Sequence, residues 1–407
     1  MTEIFQGTSP ARIRIAMIGS YPASAVLPSE ILKPKYRQLD EHAAPWIRSL
    51  CRELIEIPGF DVHVFSLSRA VSDVHTVTIE GFPVTVVPHR FPQRFDWCHS
   101  FRLNWLQLRQ HVRAFNPHLV HAFGLETGNA TIAGYLGYLS TCFVQGIIQK
   151  YAPFLEHCSP AHLHVLERLE RQAVPRMKGF VAENEFAREW VLSVDPQANV
   201  VIIPHAVNRE FMEQGIPDFE QCRFLSVGSI DSRKGMEPLI RAFARASYPA
   251  RRLTIVGDGP FLKACRELAS SLGVHERVEF TGAVSRKEII RLMTHSRALV
   301  LAARMDTSPN VITEAHSIGL PVLATRAGGI PEMIDEGRDG FLVDVDDLEA
   351  MADRIDLMAA APELCCAMGS AGRLKVMRVN DSITVASAHA EFFRRIVSEY
   401  GEAVDME

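Results

Sequence analysis

The chain has 407 residues, 47% hydrophobic and 22% charged, which is ordinary globular composition and too long for one compact core. A net charge of -5 argues against a general nucleic-acid binder, which needs a broad basic field. The eight cysteines include no CxxC pair, which points to reduced thiols in a cytoplasmic protein, and no apolar run approaches the roughly 18 residues of a membrane span.

Residues 12–20, RIRIAMIGS, read as a first parallel strand. The loop after it is long, with Pro22, Pro28, Pro34 and Pro45, and loops of that length are usually functional or disordered. Lys33, Lys35 and Arg37 within it fit a solvated surface first and a hold on an acidic acceptor second. From Trp46 the apolar Ile47, Leu50, Leu54 and Ile57 step by three and four, so a helix follows and stops near Pro58 and Gly59. Residues 61–67 and 82–88 then read as strands.

Between 90 and 113, Arg90, Arg94, Arg102 and Arg109 interleave with aromatic residues. Phe101, Trp105, Leu108, Val112 and Phe115 recur at helical spacing and form a core-facing stripe. Residues 90–97 remain, as plain packing, an acceptor loop or a peripheral membrane contact. A buried strand then ends near His121, where a lone histidine is more often a structural hydrogen-bonder than a catalyst. The next strand ends in Gln145 and Gly146. His157, Cys158, His162 and His164 flank an amphipathic helix without a recognisable ligand framework, so no metal is expected. Residues 178–191 are a strand entering a helix capped by Asn184. Residues 199–212 carry a strand and the turn IPHAV, and 210–220, with Gly215 and Pro217 and no period, form an interdomain linker.

The second half repeats strand, glycine turn and helix. Residues 222–244 place Gly228, Ser229, Arg233 and Lys234 in such a turn. Gly257 and Gly259 follow a strand, but Leu262 stands where a dinucleotide fingerprint needs its third glycine, so that reading fails. Residues 277–290 add a strand, the Gly282 turn and a helix. After the short buried strand in ALVLAA, Ser308 reads as an N-cap and Pro309 as the first helical residue. The amides of Asn310 and Val311 then open an anion site fit for phosphate. Asp306 precedes this helix and Glu314 lies within it; alone, the pair reads first as a capped helix with one solvated acid. Gly328 and Gly329 permit close backbone approach. Strands and helices alternate throughout, which calls for parallel sheets covered on both faces, with ligands at the carboxyl ends of the strands.

Residues 305–343 carry more than spacing. SPNVITEA and AGGIPEMIDEGRDGFLV, with Asp306 and Glu314 eight positions apart, resemble the signature of the retaining nucleotide-sugar glycosyltransferases of glycosyltransferase family four. That family has the GT-B fold, and its signature normally opens on Glu where this chain has Asp306. Lys234 and Gly235 match its Lys-Gly, Gly257-x-Gly259-Pro its glycine turn, and His121 the histidine ending an early strand. Ser229 stands where the family has arginine, with Arg233 nearby as a substitute; Gln145 replaces a histidine beside Gly146, and His205-Ala206 replace Asn-Gly.

The resemblance implies an α/β GT-B architecture with two Rossmann-like doubly wound domains. Residues 1–212 would bind the acceptor, 213–384 the donor, and a C-terminal helix over 385–407 would pack back on the first domain through Ala388, Phe392, Ile396 and Tyr400. The implied activity moves a hexose-type sugar from a nucleoside-diphosphate sugar to an acceptor with retention, needing no metal or other cofactor. Glu314 would hold the ribose; Lys234, Arg233 and the amides at Asn310 and Val311 the diphosphate; Asp306 the sugar. Gly228, Ser229, Gly257, Gly259, Gly282, Ser308 and Pro309 would line the donor, and Gln145, Gly146 and His121 the sugar or acceptor side. An inactive nucleotide-sugar-binding protein and a nucleotide-sugar epimerase on the same scaffold are the alternatives.

Overall fold

Short apolar runs form strands here, and the strands gather into two sheets. The computed structural model describes residues 12–36, 45–92, 94–156 and 158–401. The first sheet holds β1 (Ile13–Ile18), β2 (Phe60–Ser68), β3 (His75–Ile79), β4 (Phe82–Pro88), β5 (Leu119–Phe123), β6 (Ser140–Val144), β7 (Gly179–Ala182) and β8 (Val200–Ile202). Its order is β3-β4-β2-β1-β5-β6-β7-β8. The second holds β9 (Arg223–Val227), β10 (Arg252–Val256), β11 (Val278–Gly282), β12 (Ala298–Leu301), β13 (Val322–Thr325) and β14 (Gly340–Val343), ordered β11-β10-β9-β12-β13-β14. Each sheet therefore reverses its winding once, between β1 and β5 and between β9 and β12, which is where doubly wound sheets open a crevice for ligands.

All named pairings are parallel except β3 with β4, a hairpin that the sequence reading missed. Its turn is Glu80-Gly81, both at positive φ (48° and 92°), as two-residue hairpins require. The residues of β3 alternate between half-buried and exposed, and an edge strand of that kind lacks the continuous apolar run by which its neighbours are read.

Two apolar layers cover each sheet. One layer of the first sheet includes Ile47, Leu50 and Leu54 of the helix Pro45–Glu56 together with Phe392, Phe393 and Ile396 of the helix Ser382–Tyr400. The last helix thus returns to the first sheet, where Phe393 is fully buried; residues 402–407 lie outside the described part. On the opposite layer Phe101, Leu108 and Val112 are buried, with Trp105 and Phe115 packed against them. That stripe belongs to the helix Arg102–Phe115, and Arg94–Cys98 forms a separate short helix before it.

Local details bear on four readings. The helix after Asp306 runs Asn310–Ile318, with Pro309 as N-cap in an extended conformation (ψ 110°), so it starts one residue later than Ser308 capping would give. The stretch read as linker begins inside a short helix, Arg209–Met212. Of the basic trio in the first long loop, Lys33 donates to the Arg69 carbonyl at 3.0 Å and Lys35 lies over the Tyr36 ring, while Arg37 lies outside the described residues. The IPHAV turn keeps negative φ at His205 and Ala206, as a turn without glycine should.

Candidate active site

Two loops meet at the reversal point of the second sheet. The first leaves β9 at Gly228 and is folded on Asp231, whose carboxylate accepts from the Ser229 hydroxyl (2.7 Å) and the Lys234 amide (2.9 Å). Gly235 ends this loop at φ 66°, and a Cβ there would fall 1.8 Å from the Ala302 carbonyl oxygen. Only glycine lets the loop lie this close to the end of β12. That approach brings Lys234 to Asp306: Nζ donates to Oδ2 at 2.6 Å, and Arg233 Nη1 donates to the same oxygen at 3.1 Å. Arg233 also donates to the Met305 carbonyl and lies over the Tyr151 ring, 4.8 Å from its centroid.

Asp306 is thus clamped by two cations in a largely dry setting, with side-chain exposure of 8% against 16% for Lys234 and 20% for Arg233. Burial pushes its carboxyl upward, but Lys234 and Arg233 more than offset this and hold it below the ordinary carboxylate range. Ser229, standing where the family has arginine, faces Asp231 instead; Arg233 supplies the second cation.

The helix Asn310–Ile318 opens beside this cluster, where the first amides lack intrahelical partners. Its N-cap Pro309 makes no side-chain cap, and the Ser308 hydroxyl points to Met333 Sδ at 3.7 Å. Glu314 stands part-exposed on this helix; burial pushes it up to about 7, with His205 and Arg286 pulling the other way. His205 Nδ1 lies 2.9 Å from Glu183 Oε2; burial lowers this imidazole, yet Glu183, seconded by Glu314, raises it above its ordinary value.

The glycines bring backbone against backbone around the site. A Cβ on Gly257 would fall 1.9 Å from the Gly228 oxygen, and one on Gly259 would fall 2.4 Å from that of Ile230. They stitch the strand ends together, with Gly228 donating to Val256 and Gly257 to Gly282. Gly282, at φ 72°, has open space where a side chain would stand. Gly328 and Gly329 press against the carbonyls of Asp306 and Thr307, so they serve the loop that holds Asp306.

Across the cleft, the carboxyl ends of the first sheet's strands surround a cavity of about 840 Å³. Its lining includes Gly19 after β1, Arg69 after β2, Trp97, Glu126 and Asn129 after β5, and His162. Asp96 joins Arg69 (2.9 Å) to His89 (2.8 Å), and Trp97 stacks on His162 at 4.4 Å. Asp96 and Trp97 of the 90–97 segment are therefore cavity wall; residue 93 lies outside the described part. The Gly146 amide donates to Glu126 Oε2 at 3.2 Å, and Gln145 beside it is half-buried. Glu126, Tyr151 and Thr307 escaped the sequence reading, since single residues in short loops carry no period, while Asn184 was read there as the helix cap it is; only the position of Glu126 just beyond β5 hinted at a site.

His121 is a correction. It sits two residues before the end of β5, fully buried, with Nδ1 2.8 Å from Thr141 Oγ1 and its ring against Phe123 and Phe393. Burial lowers its imidazole far below the ordinary value, and it faces the packing layer under the last helix, away from the cavity. Of the histidines and cysteine considered as a metal group, His157 lies outside the described residues, and among the described residues no three His, Cys, Asp or Glu side chains cluster for a metal ion.

The two halves touch through specific bonds. Tyr151 shares a 2.8 Å bond with the Thr307 hydroxyl, Asn184 Nδ2 donates to the Thr307 carbonyl at 2.6 Å, and Glu332 accepts from the amides of Glu185 (2.7 Å) and Phe186 (2.9 Å). No described helix is long and apolar enough to cross a membrane.

Comparison with known proteins agrees with this geometry. Residues 43–211 match the family described as Glycosyltransferase Family 4, and 208–375 match Glycosyl transferases group 1. The GDP-mannose-dependent alpha-(1-6)-phosphatidylinositol monomannoside mannosyltransferase of Mycolicibacterium smegmatis is 38% identical over 152 residues, 35% of this chain and 39% of that protein. N-acetyl-alpha-D-glucosaminyl L-malate synthase of Bacillus anthracis is 27% identical over 46% of this chain and 49% of that protein. The matches to such curated relatives thus span about two-fifths to one-half of their length. Among solved structures, sucrose-phosphate synthase from Thermosynechococcus elongatus superposes with a TM-score of 0.75 at 18% identity, covering 95% of this chain and 100% of that one. Anabaena HepE in complex with UDP-glucose gives 0.69 at 18% identity, covering 94% and 100%; both show likeness of fold. Two sheets facing a cleft, the signature at residues 305–343 and family matches running from 43 to 375 lead to one conclusion: the chain belongs to the family-four glycosyltransferases and has the GT-B fold.

Proposed function

We propose that this glycosyltransferase moves a hexose-type sugar from a nucleoside-diphosphate sugar to an acceptor in the first sheet's cavity, with retention of anomeric configuration. The observation that carries the reading is the convergence of Lys234 and Arg233 on one oxygen of Asp306, beside the first turn of Asn310–Ile318. A diphosphate leaving group needs its growing charge neutralised in a dry site, and two cations beside free helix amides do that. Asp306, clamped by both, holds their positions until the donor arrives and then orients the sugar hydroxyls.

Glu314 accepts from the ribose hydroxyls. The acceptor oxygen bonds to the anomeric carbon as the bond to the phosphate oxygen breaks, and the acceptor proton passes to the departing phosphate on the same face; the family resemblance supports this course. No cofactor enters the scheme. That Asp96 and Trp97 line the cavity favours an acceptor role for the 90–97 segment over a membrane-surface one, and the free state of all eight cysteines supports a cytoplasmic setting.

The test is Glu314→Ala assayed with uridine, guanosine and adenosine diphosphate sugars. Transfer should fall by about 100-fold or more, with thermal stability held, because the helix wall remains while the ribose loses its acceptor. Near wild-type rates would remove the assignment. Binding without release of nucleotide from any donor would favour an inactive binding protein, and conversion of the donor without an acceptor an epimerase.

A further inference from the structure

Glu126 is a half-buried acid that the donor scheme leaves unused, and it stands where cavity and cleft meet. It lines the cavity beside Asn129, and its carboxylate takes the Gly146 amide at 3.2 Å. A Cβ built on Gly146 would lie 2.9 Å from the Tyr151 ring and 3.1 Å from the Glu126 carboxyl carbon, so these two side chains flank one point. Tyr151 in turn bonds Thr307 and lies under the Arg233 guanidinium. One unbroken path therefore runs from the cavity through Glu126 and Tyr151 to the donor clamp. Resting on the transferase reading above, we infer that Glu126 touches the acceptor itself, taking a hydrogen bond from the hydroxyl that attacks the sugar and turning its lone pair toward the anomeric carbon.

One carboxylate oxygen is engaged by Gly146, and an ionised carboxylate has acceptor sites to spare for a hydroxyl. The proton of that hydroxyl still leaves with the departing phosphate, so no new transfer step is added. Burial pushes Glu126 up to about 7, against the amides of Glu126, Gly146 and Leu125, with Glu183 adding to the rise. Tyr151, Glu170 and Cys142 are the other titratable groups around it. Below that pH the carboxyl is protonated and presents a donor in place of an acceptor, so transfer should decline on the acid side.

The experiment compares wild type with Glu126→Gln, using the full chain and, as probe, whichever octyl glycoside from a panel the wild type glycosylates fastest. Expected for Glu126→Gln is a loss of about 10- to 100-fold in transfer, the range of a hydrogen bond to a charged group, with affinity for the nucleoside diphosphate held within about twofold. The decline in wild-type transfer below about pH 7 should also become shallower in the variant, where Glu314 is left to titrate in that range without Glu126. A variant with wild-type transfer and an unchanged pH profile overturns the inference and leaves the transferase reading standing. Loss of nucleotide affinity together with transfer also overturns it, since Glu126 would then support the fold of the cleft. A wild-type chain that neither transfers nor hydrolyses any donor overturns both.

Discussion

At the scale of single residues, two cations of the site converge on one acid. Asp306 Oδ2 occupies the position between Lys234 and Arg233 that a phosphate oxygen would compete for. Removing that charge should leave both cations unpaired in a poorly solvated site, where an arriving anion gains more. Asp306→Asn is therefore expected to bind free nucleoside diphosphate several-fold more tightly, by about 1 kcal/mol, while sugar transfer falls by about 100-fold. Calorimetry with the diphosphates decides: weaker binding would mean that Asp306 is needed to hold the cations in place. Lys234 and Asp306 were legible in the sequence because the motif around them is long, and Arg233 because it was the nearby basic residue able to replace Ser229. Glu126 was not legible, for an acid in a five-residue loop has no period or spacing to mark it. His121 was misplaced for a physical reason: β5 runs two residues further, so the ring leaves the sheet on its face and not at its rim.

At the scale of elements, glycine decides how closely loops lie. The loop after β13 rests on Gly329, where a Cβ would stand 2.1 Å from the Thr307 oxygen and 2.2 Å from Asn184 Nδ2. Gly329 also donates to the Asp306 carbonyl at 2.9 Å. A methyl group there must displace either the Asp306 loop or the Asn184 contact. Gly329→Ala should thus destabilise the protein by about 1 to 3 kcal/mol, the usual cost of overpacking, and lower nucleotide affinity as well. A thermal melt matching wild type would show that the loop yields freely. The need for these glycines was readable, but their purpose was not, because a sequence gives no partner for a close approach. The strands β5, β6, β12 and β13 were plain because both faces are buried and the runs are largely apolar and uncharged. β3, buried on neither face, left no such run, and a proline with ψ of 110° moved the helix start by one residue.

At the scale of the whole molecule, the alternation of strand and helix made two doubly wound sheets foreseeable, and the reversal points then fixed where loops from each sheet would meet. What no local pattern could give is the cost of closing that meeting place around acids. Three carboxyls are pushed up mainly by burial: Glu126 and Glu314 to about 7, and Glu170 to about 8. Glu170 lies behind the cleft, taking the amides of Ile148 (2.8 Å) and Gln149 (3.3 Å) at the start of the short helix that carries Tyr151. Each folded-state value lies above the ordinary 4.5, so the folded chain keeps these protons where the unfolded chain has lost them. The stability they contribute is full below pH 4.5 and is lost as pH rises through 7 to 8, at up to about 1.4 kcal/mol per pH unit for each group. Asp306 acts in the opposite sense: its depressed value means stability lost as pH falls through it, so the chain should be most stable on the mildly acidic side of neutrality. Glu170→Gln mimics the protonated acid and keeps one acceptor for the two amides. Melting temperatures taken from pH 5 to pH 9 should fall less steeply for this variant than for wild type, the two curves converging at the acid end and parting above about pH 6. Parallel curves across that range would mean that Glu170 is solvated enough to ionise without cost, and that the cleft is wetter than its packing implies.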